Sequence, residues 1–201
     1  MNPILTVGHS THELEHFLAL LTAHDVTAVA DVRSVPASRF TPQFNRDPLK
    51  RALRTAGIRY VFLGRELGAR SDDPSCYVDG QVRYGRLAKT SSFRDGIARL
   101  LTGRESQRIA VMCAEQDPLD CHRTVLVARV LADHQAPVQH IHGDGHLESH
   151  DDAMMRLMAA FNLDEPDLFH TTAERLAEAL SRQEQRIAYV TPHDEPTQAQ
   201  A

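Results

Sequence analysis

The stretch "CAEQDPLDCHR", residues 113–123, holds two thiols, Glu115, two aspartates, His122 and Arg123 within eleven positions. Three chemistries fit it. In the first, Cys121 is a nucleophile. A thiol in the early turns of a helix meets the helix dipole, and Arg123 and His122 beside it favour thiolate. His122 or Glu115 would then move protons. In the second, Cys113, Cys121 and His122 with a carboxylate make a zinc shell, although Cys-x7-Cys-His is no known finger spacing. In the third, Cys113 belongs to the core, Asp117 caps a helix and Arg123 pairs with Glu115. A phosphatase loop is excluded, because residue 119, six positions after Cys113, is Leu and not Arg. Of the two thiols, Cys121 is expected to be the more acidic and Cys113 the more buried.

Two more stretches carry candidates. "GHSTHE" (8–13) sets Gly8, His9 and Ser10 at a helix start, where free amides and the dipole suit an anion. The plain alternative is a capping box of Ser10 with Glu13, and a core histidine. "DVRSVPASRF" (31–40) supplies Asp31, Arg33, Ser34, Ser38 and Arg39. A guanidinium matches phosphate or carboxylate bidentately. Asp31 orients Arg33, acts as a base or ligand, or merely closes the loop in a pair with Arg33. Phe40 and Phe44 either stack on a base or fill the core. No GxGxxG and no Walker lysine are present, which argues against a standard dinucleotide or P-loop site.

The elements that position these residues alternate. Apolar runs at 4–9, 27–33, 58–64, 108–115 and 138–145 read as strands. Helical spacing at 10–24, 47–57, 91–103 and from about 117 reads as helices between them. Asp47 as N-cap, Pro48 at N1 and Gly57 past the end frame the second helix. Strands alternating with helices imply right-handed crossovers and a parallel sheet covered on both faces. The expected fold is therefore α/β and three-layered, a mostly parallel sheet of about five strands with a helical C-terminal extension. Residues 1–148 form the α/β domain, 149–190 the extension and 191–201 a disordered tail. Two connections, 34–46 and 64–90, are long for this fold and leave the carboxyl ends of strands, where open α/β sheets bind ligands.

Charge sharpens that placement. The whole chain carries a net charge of −5, which disfavours general coating of nucleic acid. Residues 31–112, however, hold 16 Lys/Arg against 8 Asp/Glu, and the remainder 6 against 19. A basic middle segment around the strand ends is suited to an anionic ligand. Three cysteines do not make a disulfide framework. No apolar run reaches the roughly 20 residues of a membrane span, and the start lacks a signal-peptide pattern. A cytoplasmic, membrane-free protein with reduced thiols is expected.

The segments "TVGHST", "DVRSVPASRFTPQF", "YVFLGRELG" and "VMCAEQDPLDCHR", in this order and spacing over residues 4–145, resemble the signatures of the family called domain of unknown function 488. The ending "PDLFHTTAERLAEALSRQEQRIAYV" resembles one branch of it. The resemblance singles out His9, Ser10, Asp31, Arg33, Ser38, Cys113, Glu115, Cys121, His122 and Arg123. The family name records no settled activity, and some members carry a transferred label linking them to DNA repair.

These readings converge on one strand-end site. The leading expectation is an enzyme for a phosphate-bearing substrate, a nucleotide or nucleic acid. Ser10, Arg33, Ser38, Arg39 and Arg123 would hold the anion. Glu115, His122, His9 or Asp31 would move protons, and Cys121 or Cys113 would be the nucleophile. One rival is a metal-binding protein using Cys113, Cys121 and His122. The other is a non-catalytic nucleotide or nucleic-acid module. The sequence leaves the cofactor and the oligomeric state open.

Overall fold

β1 (Ile4–Gly8), β2 (Ala28–Asp31) and β6 (Ile109–Cys113) are buried along their whole length. Unbroken burial of this kind belongs to strands covered on both faces. In the computed structural model, which describes residues 2–166 and 168–191, these strands join β3 (Arg59–Phe62), β7 (Val138–Ile141) and β8 (Leu147–Ser149) in one sheet. The order is β3-β2-β6-β1-β7-β8. The first five strands run parallel, as the alternation of elements predicts, and β8 pairs antiparallel with β7. β8 is an addition to the expected set. Three residues after a turn are too few to show alternation. A separate two-stranded hairpin, β4 (Tyr77–Val78) with β5 (Gln81–Val82), lies inside the long 64–90 connection.

Two helical layers cover the sheet. On one face α1 (Leu14–Ala23) and α2 (Arg46–Thr55) lay Phe17, Leu21, Leu49 and Leu53 against Leu5, Val7, Val29, Ala110 and Met112. On the other, α5 (Ser91–Gly103) and the helix from Arg123 to Asp133 pack Phe93, Ile97, Leu126 and Leu131 against Ile4, Ala30, Ile109 and Val111. The short α3 (Gly64–Leu67) and α4 (Tyr84–Leu87) lie within the 64–90 connection, and α6 is Arg129–Asp133.

Helix starts depart from the sequence reading at three places. α1 begins at Leu14 with Glu13 before it and no side-chain cap. Ser10 instead adopts a left-handed backbone (φ 47°) and donates its amide to the Ala114 carbonyl at 2.8 Å. The expected capping box does not form, because Ser10 is used to tie β1 to the end of β6. α2 begins at Arg46, with Asp47 in its first turn rather than before it. Asn45 precedes the helix, but its side-chain oxygen accepts from the Ser38 amide at 2.6 Å and so holds the 34–46 loop. Asp117 does cap, accepting from the Leu119 amide at 2.8 Å, but what it caps is a 3-10 turn over Pro118–Asp120. The chain then extends at Cys121 (φ −136°, ψ 140°). The next helix opens with a π-helical stretch, Arg123–Ala128, before continuing as α6. Such i→i+5 stretches are rare and often lie at functional sites.

The C-terminal helices α7 (His150–Ala160) and α8 (Thr172–Ile187) share a small apolar cluster of Ala153, Met154, Leu157, Met158 and Ala179 with Leu119 of the α/β domain. A capping box of Thr171 and Glu174 starts α8. Gln183 donates to the Leu119 carbonyl at 2.9 Å, and Glu184 accepts from the Tyr84 amide at 3.0 Å. The extension is thereby fastened to the carboxyl edge of the sheet. The tail expected to be disordered lies, beyond Thr191, outside the described residues.

Candidate functional site at the carboxyl edge

β6 lies between β1 and β2, so the ends of the three central strands are neighbours. Gly8 pairs with Cys113 and Asp31 with Met112. Close approach here demands glycine. A Cβ on Gly8 would overlap the Glu115 carbonyl oxygen, and one on Gly64 would overlap that of Arg33. Two polar assemblies form at this edge.

The first is centred on Asp31, which is fully buried. It receives Arg33 Nε at 2.9 Å and Nη2 at 2.7 Å, the Arg33 amide at 3.1 Å and the Tyr60 hydroxyl at 2.8 Å. Arg33 Nη2 also donates to the Phe44 carbonyl at 2.9 Å. Arg33 Nη1 stands 3.0 Å from His9 Nε2. A guanidinium only donates, so His9 accepts there and its Nδ1 proton goes to the Ser10 carbonyl at 2.8 Å. Burial first, and the Arg33 charge second, push the His9 pKa down from 6.5 to about 4. His9 is therefore a neutral imidazole near pH 7, stacked on Phe44 at 4.4 Å. Burial and the Asp31 carboxylate push the Tyr60 hydroxyl well above its ordinary range.

The second assembly is built on the stretch from Cys113 to Arg123. His122 Nδ1 stands 3.7 Å from Cys113 Sγ and 3.8 Å from Cys121 Sγ, and Nε2 lies 3.2 Å from the Val32 carbonyl. Cys121 sits just ahead of the helix. Its carbonyl accepts from the Thr124 and Val125 amides, and its sulfur from the Arg123 amide at 3.4 Å. Arg123 is entirely buried and donates to the carbonyls of Glu115 and Gln116 at 2.7 and 3.1 Å. The predicted Arg123–Glu115 carboxylate pair is thus a backbone clamp on the loop between the two cysteines. The hydrogen bond with Cys121 and burial raise the Cys113 thiol. Burial works against ionising Cys121, but the hydrogen bond from Cys113 and the charges of Arg123 and His122 outweigh it, so this thiol lies below its ordinary value. Burial also opposes charge on His122, yet Cys121 and Glu115 draw it upward. Glu115 opens to solvent through the cavity. The protein crowded around it, and Cys121 next, push its carboxyl upward.

A cavity of about 260 Å³ joins parts of both assemblies. Arg33, Cys113, Glu115 and His122 line it, together with Arg70, Tyr84, Asp120, Ile187 and Tyr189. The other candidates stand elsewhere. His9, Asp31, Cys121 and Arg123 are buried outside the cavity wall. Ser38 accepts from the Phe40 and Thr41 amides and shapes a turn. Arg39 is exposed beside the ring of Phe40, at 5.1 Å. Of the residues expected at one strand-end site, Arg33, Cys113, Glu115 and His122 line the cavity, with His9, Asp31 and Arg123 packed behind. The expected order of burial is also reversed, since Cys113 and not Cys121 touches the cavity.

Sequence reasoning missed Tyr60, Arg70, Tyr84, Asp120 and Tyr189. Arg70 lies in the 64–90 connection, whose length was the available signal. Its guanidinium stacks on Tyr189 at 4.5 Å, and Tyr189 is held because the Val82 amide donates to its carbonyl at 2.9 Å. Nothing local in the sequence shows that residues after α8 close a wall of this pocket.

The molecule is thus a three-layer α/β protein with thiol, imidazole, carboxyl and guanidinium groups gathered at the ends of its central strands. A family model described as domain of unknown function DUF488 matches residues 13–130, and the chain belongs to that family. No curated protein and no solved structure matches it. Among the described residues, no helix is long and apolar enough to cross a membrane.

Proposed function

We propose that the protein is an enzyme acting on a small phosphate-bearing substrate in the carboxyl-edge cavity. The observation that carries this reading is the convergence of Arg33, Arg70, Cys113, Glu115 and His122 on one cavity wall. Arg70 is the anion contact with donors to spare. Arg33 has its donors committed to Asp31, Phe44 and His9 except for one N–H on Nη1, and lends the cavity wall that donor and its charge. Glu115, at the cavity and next to both thiols, is the proton carrier. The cavity volume suits a mononucleotide or something smaller better than a polynucleotide strand.

The test is calorimetric titration of the full chain with inorganic phosphate and with mononucleotides, followed by turnover assays on phosphate esters. Arg70→Ala should weaken binding at least tenfold. Glu115→Gln should abolish turnover while leaving binding within about threefold, as expected for a group acting in the transition state. Binding without turnover of any phosphate ester would leave a non-catalytic module. If both variants match the wild type in binding and turnover, the cavity is not the site.

A further inference from the structure

We infer that Cys113, Cys121 and His122 form a binding site for a soft divalent transition metal, zinc by preference, reachable from the cavity. Its metal-binding half rests on donor geometry alone, and its catalytic half rests on the enzyme reading above.

The donor atoms Sγ, Sγ and Nδ1 all lie within 4.8 Å of one another, and all three residues are buried. Zinc bound tetrahedrally, with Zn–S near 2.3 Å and Zn–N near 2.0–2.1 Å, sets sulfur and nitrogen ligands about 3.6 Å apart. The imidazole nitrogen stands at 3.7 and 3.8 Å from the two sulfurs. The set therefore needs little rearrangement to close on an ion.

The surroundings fit the same chemistry. With its proton on Nε2, His122 donates to the Val32 carbonyl and turns the Nδ1 lone pair to the sulfurs. That is how a metal-bound histidine is usually oriented and its tautomer fixed. The Arg123 amide donates to Cys121 Sγ, and the Arg123 side chain fixes the loop that spaces the two cysteines. Two thiolates and an imidazole select zinc or another soft ion over magnesium or calcium. Structural zinc sites close with a fourth protein ligand, whereas catalytic ones keep a position for water or substrate. Cys113 and His122 line the cavity, and Glu115 lines it beside them. The ion would be accessible there, with Glu115 placed to serve as fourth ligand or to take a proton from a bound water.

The test uses the full chain, reduced, treated with chelator and then freed of it. Cobalt(II) titration should reach one equivalent per chain, with a thiolate-to-cobalt charge-transfer band in the near ultraviolet. Zinc should displace the cobalt and bleach the band. Cys113→Ser, Cys121→Ser and His122→Ala should each lower affinity at least a hundredfold. Cys76→Ala removes the remaining cysteine, which caps no part of the cluster, and should keep full stoichiometry. Circular dichroism checks that each variant is folded, and a Cys113→His variant, which keeps a ligand, should retain one equivalent with an altered spectrum. Folded wild-type protein without the charge-transfer band would overturn the inference, as would a Cys113→Ser or Cys121→Ser variant that binds like the wild type. Turnover by wild-type protein that binds no metal would refute the metal and leave the enzyme standing. Metal uptake without turnover would confirm the site and refute the enzyme.

Discussion

The ends of β2 and β6 are adjacent, yet their polar groups are managed in opposite ways. At β2 the carboxylate of Asp31 meets four donors from Arg33 and Tyr60, and Arg33 spends its remaining edges on Phe44 and His9. At β6 two thiols share one imidazole nitrogen at 3.7–3.8 Å, and the nearby carboxyl of Glu115 faces a cavity. The first assembly is satisfied within the protein except for one N–H of Arg33 at the cavity wall. The second has capacity left over for something that is not protein. Charge and hydrogen-bonding types alone therefore do not mark a functional site. On the proposed reading, what distinguishes one is reactive capacity that the fold does not consume.

The largest expected effect breaks the closed assembly. Arg33→Met leaves Asp31 buried without its counter-charge and should cost about 3–5 kcal/mol. Arg33→Lys, which cannot restore the two-pronged contact, should fall between that variant and the wild type. Urea denaturation measures both. If Arg33→Met is as stable as the wild type, the contrast between the two strand ends collapses.

Acid should reach the same assembly through His9. Its folded pKa is about 4 against 6.5 for the free side chain. Between those values the unfolded chain binds a proton that the folded chain does not, so stability is full above about pH 6.5 and falls as pH drops towards 4. The contribution is on the order of 3 kcal/mol. His140 and His150, also held below the ordinary value by burial, add slope of the same sign. A His9→Gln variant should show a shallower decline of unfolding free energy from pH 6.5 to 4. An unchanged slope would place the acid sensitivity elsewhere.

Gly8→Ala should press on the Glu115 carbonyl and the Arg123 guanidinium at once. A loss of about 1–3 kcal/mol is expected, as for other overpacked sites, together with weaker phosphate binding in calorimetry. A stable variant with unaltered binding would mean that the loop after β6 does not set the cavity.

The smallest effect belongs to the open assembly. In chelator, Cys121→Ala should cost about 1 kcal/mol, since a buried thiol packs as a small apolar group with weak hydrogen bonds. A loss as large as that of Arg33→Met would show that the cluster is structural after all.

The sequence made the strand ends and the Cys/His/Glu group legible, because buried parallel strands read as apolar runs and the reactive residues follow them directly. The tightness of Asp31 and Arg33 was not legible. Two residues of spacing cannot say whether a carboxylate orients an arginine or consumes it; that depends on Tyr60, one strand away. Ser10 looked like a helix cap because its spacing to Glu13 is correct. Its backbone was already committed across the sheet to Ala114. Arg70 and Tyr189 are more than a hundred residues apart, and only the fastening of α8 to the edge brings them together.

The strand order carries a consequence for how the chain is made. β1 pairs with β6 and β7, and β2 with β3 and β6. Nothing in the first hundred residues is a partner for β1. As the chain leaves the ribosome at roughly 5–20 residues per second, β1 waits several seconds with both edges bare, while β2 and β3 can already join. When β6 arrives it completes the middle of the sheet and delivers Cys113, Glu115, Cys121 and His122 in the same stroke. The nascent protein is therefore most exposed to mispairing just before its reactive cluster exists, and a chain halted short of residue 109 should bind to chaperones and lack the cluster altogether.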